Sequence, residues 1–159
     1  MRRLLLLALT LGLAACASQS GGPMSEAPVE RSTTAQMPMA EARTRAQAAL
    51  TAAGFSASPT GSGLTATAHG PDAAIDCPRA RVVDDQSGSA NRSYLATPSS
   101  QRTDVTVAMT EATGGTAVKI GVTGEATYRD RYRGTTFTRA CTSTGRVEQR
   151  VLAAVQGGG

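Results

Sequence analysis

Apolar residues form one nearly continuous run along this chain, from Leu4 to Leu13, and from Pro38 onward they recur mainly with a period. Met39, Ala42, Ala46, Ala49, Leu50 and Ala53 recur at helical spacing, which predicts a helix opened by Pro38 and closed by Gly54. Phe55 is then placed to fold back on the last turn. After the breaker 59–63 the period drops to two: Leu64, Ala66 and Ala68 alternate with Thr65, Thr67 and His69, a half-buried strand. A further strand is expected within 73–83, around Ile75, Cys77, Val82 and Val83, with Pro78 marking an edge or bulge. Residues 84–102 are polar and predict a long loop. The alternation is clearest in the C-terminal third. Val105, Val107 and Met109 share a face, and Thr113-Gly114-Gly115 turns the chain. Val118, Ile120 and Val122 continue on the returning strand, which runs to about Tyr128. A second turn over 129–133 leads into a third strand with Phe137 and Cys141 on one face, giving a β-meander. Thr142 to Gly145 suit a helix start, Glu148 falls in its first turn, and Val147, Val151, Ala154 and Val155 line one face. The expectation is an α+β fold: an antiparallel sheet of about four or five strands ending in a meander, with an N-terminal and a C-terminal helix packed on one face.

The continuous run has a different meaning. Arg2 and Arg3 precede it, and at about twelve residues counting Ala14 and Ala15 it is shorter than the ~20 needed to cross a bilayer as a helix. Leu13-Ala14-Ala15-Cys16 follows directly. This segment resembles the signal peptide and lipobox of bacterial lipoproteins. The resemblance implies that residues 1–15 are removed and that Cys16 receives a diacylglyceryl group and N-acylation. It further implies a lipid-anchored protein of the cell envelope. Ala17, where an Asp would favour the inner membrane, points to the periplasmic side of the outer membrane. Two or more acyl chains give firm anchoring, since each buried CH₂ contributes about 0.8 kcal/mol. Residues 17–37 are rich in Ser, Gly, Pro and Thr without periodicity and are expected to form a disordered tether. The expected single domain then covers 38–156, with 157–159 as a frayed tail. Its element order is topologically similar to helix-grip domains of outer-membrane lipoproteins, a likeness that carries no functional residue across.

Processing alters charge and cysteine arithmetic. Losing Arg2 and Arg3 lowers the formal charge from +4 to +2, so the basic balance gives no argument for nucleic acid. With Cys16 lipidated, Cys77 and Cys141 make an even pair in an oxidising compartment, which predicts a disulfide. Two free thiols or a catalytic cysteine are the alternatives.

Candidate chemistry is sparse. Ser143 or Thr144, at a helix start, has the position of a nucleophile, and equally that of a cap. His69 is the one histidine available as a base, and a lone histidine is a poor metal site. Asp72, Asp76, Asp84 and Asp85 lack calcium-loop spacing and are expected to be a solvated rim. No metal and no cofactor is expected. Arg129-Asp-Arg-Tyr-Arg133 is the best candidate contact surface: Arg129, Arg131, Tyr132 and Arg133 suit lipid phosphates, peptidoglycan carboxylates or an acidic envelope protein. The same residues would also guard a hairpin against edge pairing. The expected function is a membrane-anchored, non-enzymatic interaction or accessory module acting through this hairpin or the 84–102 segment. A hydrolase centred on Ser143 and His69, or a carrier of a small apolar ligand, is the alternative.

Overall fold

The protein is described by a computed structural model over residues 29–70, 74–84 and 92–157. The elements in chain order are β1 (Val29–Ala35), α1 (Met39–Ala52), β2 (Ser56–Thr60), β3 (Gly63–His69), β4 (Ile75–Asp76), β5 (Ala80–Val83), β6 (Ser93–Ala96), β7 (Pro98–Ala112), β8 (Gly115–Arg129), β9 (Thr136–Ser143) and α2 (Arg146–Gln156). A seven-stranded sheet has the order β2-β3-β7-β8-β9-β4, with β1 also paired to β8, and β5 and β6 form a separate two-stranded ribbon. All pairings are antiparallel.

The meander β7–β8–β9 is present and longer than expected, because β7 and β8 each run for 15 residues. Strict alternation buries Val105, Val107 and Met109 on β7 and Val118, Ile120, Val122, Ala126 and Tyr128 on β8. Cross-strand register brings these faces together, as in Val107 opposite Ile120 and Leu64 of β3 opposite Val107. Helix α1 contributes buried Ala42, Ala46 and Leu50, and α2 contributes Val147, Glu148, Val151 and Val155. Apart from Glu148, both sets join the same apolar cluster as the sheet residues. The helices touch one another; α1 also meets β2, β3, β7 and β8, and α2 meets β1 and β8. The end of α1 forms as the spacing predicts, with the Phe55 amide donating to the Leu50 carbonyl and its ring buried.

Three expectations need correction. The sheet has seven strands rather than four or five. Residues 29–35, assigned from composition to the tether, form β1 along β8. Composition hid it because Arg31 and Thr33 take the positions opposite Ile120 and Val118, so no apolar alternation marks the strand. Likewise β2 is an edge strand with Pro59 and almost no buried residue. Finally, the polar stretch 84–102 is not one loop: it contains β6 and the start of β7. Its residues 85–91 lie outside the described residues, as do Cys16, Asp72 and the rest of the leader and tether through residue 28.

Cys77 and Cys141 are disulfide-bonded, with Cα atoms 4.7 Å apart. The bond ties the chain beyond β4 to β9. Strand β4 itself pairs over only Ile75 opposite Ser143 and Asp76 opposite Thr142. Gly124 makes room for this: a Cβ there would lie 2.6 Å from Cγ2 of Ile75, which caps the sheet at that point.

Candidate functional site

The β8–β9 turn is built around Asp130. Its backbone N–H donates to the Thr135 carbonyl at 2.8 Å, and its carbonyl accepts from the Gly134 N–H at 2.8 Å. Its carboxylate turns inward and accepts from the Tyr132 and Arg133 amides at 2.9 and 3.3 Å. Local side-chain acceptance of this kind is what favours Asp at turns. Gly134 completes the reversal at φ 69°, a left-handed conformation that glycine adopts without strain.

The turn is held from outside by Tyr94 of β6. Its hydroxyl donates to the Arg129 carbonyl at 2.8 Å and accepts from the Arg131 amide at 2.6 Å. The Arg131 guanidinium lies 4.4 Å from the centroid of the Tyr94 ring, and the Tyr132 ring meets it edge-on at 5.2 Å. The hairpin and β6 of the 84–102 segment, two separate candidates by sequence, therefore meet in one surface. Sequence reasoning did not single out Tyr94. The available signal was its rarity: the chain has three Tyr, two Phe and no Trp.

Beneath the turn, Tyr128 and Phe137 stack at 5.3 Å, with the Arg139 guanidinium 5.7 Å from the Phe137 ring. The Tyr128 hydroxyl donates to the Pro78 carbonyl at 2.7 Å, one residue from the disulfide. Burial raises the Tyr128 pKa above its ordinary 10.0; Arg139 opposes the shift and Asp76 adds to it. Four of the five aromatic side chains thus gather at this end, Phe55 being the exception.

The charge distribution is one-sided. Arg81, Arg92, Arg129, Arg131 and Arg133 are exposed, whereas Asp84 and Asp130, the acids among the described residues of the ribbon and turn, are buried. The large hydrophobic side chains exposed among the described residues are Val83, Leu95 and Tyr132, at 47, 52 and 37 %. Leu95 lies opposite Arg81 on the outer side of the ribbon, with Val83 diagonal to it, while Tyr94 faces the turn.

Ser143 and His69 do not meet. His69 is opposite Arg102, Arg102 opposite Glu125, and Glu125 opposite Ala140. Three strand spacings of about 4.8 Å already separate His69 from β9 by roughly 14 Å. Ser143 lies three residues farther on, with its side chain on the opposite face. The Ser143 hydroxyl instead accepts from the Gly145 amide at 3.1 Å and donates to the Glu148 carboxylate at 2.6 Å. It secures the start of α2. Glu148 is fully buried, and its other oxygen has no hydrogen-bond partner among the described residues.

Among the described residues, no group of three or more His, Cys, Asp or Glu is placed to hold a metal, and no helix is long and apolar enough to cross a membrane. Two shallow depressions, of about 410 and 220 Å³, lie over β1, β7 and β8 among small residues, with Lys119 lining both and Glu30 the smaller, and neither is lined by a helix residue. They are not the cavity between sheet and helices that a ligand carrier would need. Comparison with protein families, curated proteins and solved structures finds no match to this chain.

Proposed function

We propose that the protein is a lipid-anchored lipoprotein of the cell envelope, acting as a non-enzymatic interaction module whose working surface is the Tyr94-centred end of the sheet. The observation that carries this reading is the asymmetry of that end. Five arginines of the ribbon and turn are exposed, Asp84 and Asp130 beside them are buried, and the backbone presenting Arg131 is bonded to an aromatic side chain from another strand. A charged turn that merely protects a strand edge has no need of such fixation.

The anchoring half of the proposal rests on Leu13-Ala14-Ala15-Cys16, with residues 1–15 removed, acylation at Cys16 and placement on the periplasmic side of the outer membrane. The disulfide supports an oxidising compartment. We also read both helices as covering one face of the sheet, in keeping with the single cluster that their buried residues share with β3, β7 and β8.

Two measurements test the two halves. Intact mass of the protein purified from its membrane should show loss of residues 1–15 and an acylated Cys16; an unmodified Cys16 overturns the anchoring. In-cell photo-crosslinking from position 132 should give discrete adducts that disappear in an Arg129→Ser/Arg131→Ser/Arg133→Ser variant. Equal adducts in that variant overturn the role of the turn.

A further inference from the structure

We infer that the Tyr94-centred end is a membrane-contacting surface for anionic phospholipid, lying against the same bilayer that holds the acyl chains of Cys16. The inference rests on the anchoring proposed above and names the partner of the same surface.

Strand direction is the first support. Strand β1 runs antiparallel to β8, with Val29 opposite Val122 and Ala35 opposite Thr116. The chain therefore enters the sheet at the end of β1 nearer the arginine turn. Val122 is seven residues from Arg129 along β8, or about 24 Å. Cys16 precedes Val29 by thirteen residues, which span at most about 45 Å. An anchored Cys16 and the turn can reach one plane.

The chemistry of the end is the second support. Guanidinium groups bind phosphate oxygens in a fork geometry, and tyrosine rings favour the boundary between headgroups and acyl chains. An acidic protein would match the charge of the arginines but gives no reason for aliphatic side chains to be exposed beside Arg81. Val83 and Leu95, flanking Arg81 across the ribbon, are exposed where an interface between headgroups and hydrocarbon would receive them. Tyr132, the third exposed large hydrophobic, packs on the ring of Tyr94, on the opposite face of the ribbon from Val83 and Leu95.

The test uses the processed chain, residues 16–159, with Cys16→Ser, so that binding reports the surface and not the lipid. It is mixed with vesicles of phosphatidylcholine alone or of phosphatidylcholine with phosphatidylglycerol, and the bound fraction is measured by flotation. The phosphatidylglycerol vesicles should bind the protein at least tenfold more tightly, each arginine near the surface contributing roughly fivefold, and added salt should remove the difference. Arg129→Ser/Arg131→Ser/Arg133→Ser should bring binding to the phosphatidylcholine level, and Leu95→Ser should weaken it without changing the salt dependence. Leu95 is half exposed, so its replacement leaves the fold intact and keeps the test decisive if the arginine variant is unstable. Equal binding to both vesicle types, or no binding to either while an acidic polypeptide such as polyglutamate binds, overturns the inference. Its failure is separable from that of the anchoring, which is read from the mass of Cys16 in the native protein.

Discussion

Replacing Cys77 and Cys141 together by serine should cost this protein about 4 kcal/mol. The bond joins residues 64 apart in sequence, and for that separation the chain-entropy relation gives a little over 4 kcal/mol at 25 °C. At roughly 2 kcal/mol per molar, the urea midpoint should fall by about 2 M. At roughly 4 °C per kcal/mol for a domain of this size, the thermal midpoint should fall by about 15 °C. The figure assumes that the whole structure unfolds as one unit, and the fold supplies a competing possibility. Apart from the disulfide, the chain around β4 is tied to the sheet by a two-residue pairing with β9, by the Tyr128–Pro78 hydrogen bond, and by the Thr144 amide donating to the Ala74 carbonyl at 2.9 Å. If those ties fail first without the disulfide, residues 74–84 detach locally and the global midpoint moves little. Urea unfolding followed by circular dichroism, together with amide exchange over 74–84 and 136–143, separates the cases. A midpoint change equivalent to less than about 1 kcal/mol, with exchange unchanged at those positions, would refute the entropic reasoning outright.

Two further substitutions test the interior. Tyr128 has its folded-state pKa raised by burial, so the unfolded state releases its proton first; the contribution to stability is fully present below pH 10.0 and is lost as the pH rises through the folded value. Tyr128→Phe should therefore flatten the fall in urea midpoint above pH 10.0, while lowering stability near neutrality by about 1 kcal/mol through loss of the bond to Pro78. Ser143→Ala should cost about 2 kcal/mol and speed amide exchange in the first turn of α2, because it leaves the Gly145 amide without its acceptor and the buried Glu148 carboxylate without its donor. Unchanged stability in that variant would return Ser143 to the list of functional candidates.

What the chain makes legible depends on whether an element is defined by its side chains or by its neighbours. Helix α1 declares itself through an alanine and leucine stripe and its closing Gly54, and β7 and β8 through an unbroken alternation of valine, isoleucine and threonine. The disulfide follows from cysteine parity once Cys16 is set aside. Strand β1 has no such mark. On the face that carries buried Ala35 it has an exposed Arg31 and a half-buried Thr33, so pairing with the backbone of β8 rather than an apolar pattern makes it a strand. The same applies to the contact surface. The arginine turn is visible as a sequence motif, but the residue that fixes it, Tyr94, lies 37 positions from Arg131 in a stretch whose polarity suggests a loop. A contact that long in sequence leaves no local pattern, so one surface reads along the chain as two separate stretches.

The distribution of side-chain size connects stability to the surface. The core beneath the helices is made largely of Ala, Val, Leu and Ile, small enough for α1 to lie close through Ala42 and Ala46. The aromatic rings are concentrated instead at the arginine end, in the Tyr128–Phe137 stack and the Tyr94–Tyr132 pair. The disulfide is attached to that same end, one residue from the carbonyl that Tyr128 binds. A two-stranded ribbon such as β5–β6 is at best marginally stable by itself. It is held here because Tyr94 anchors it to the turn, and the turn is seated on the stacked rings and on β9, which carries Cys141. The entropy of ordering the ribbon and the arginine backbone is thus met during folding rather than on contact with a partner, and pre-ordered groups bind more tightly for the same contacts. Breaking the disulfide should therefore weaken the proposed contact surface as well as the fold, since the staple helps to hold the arginines that form it.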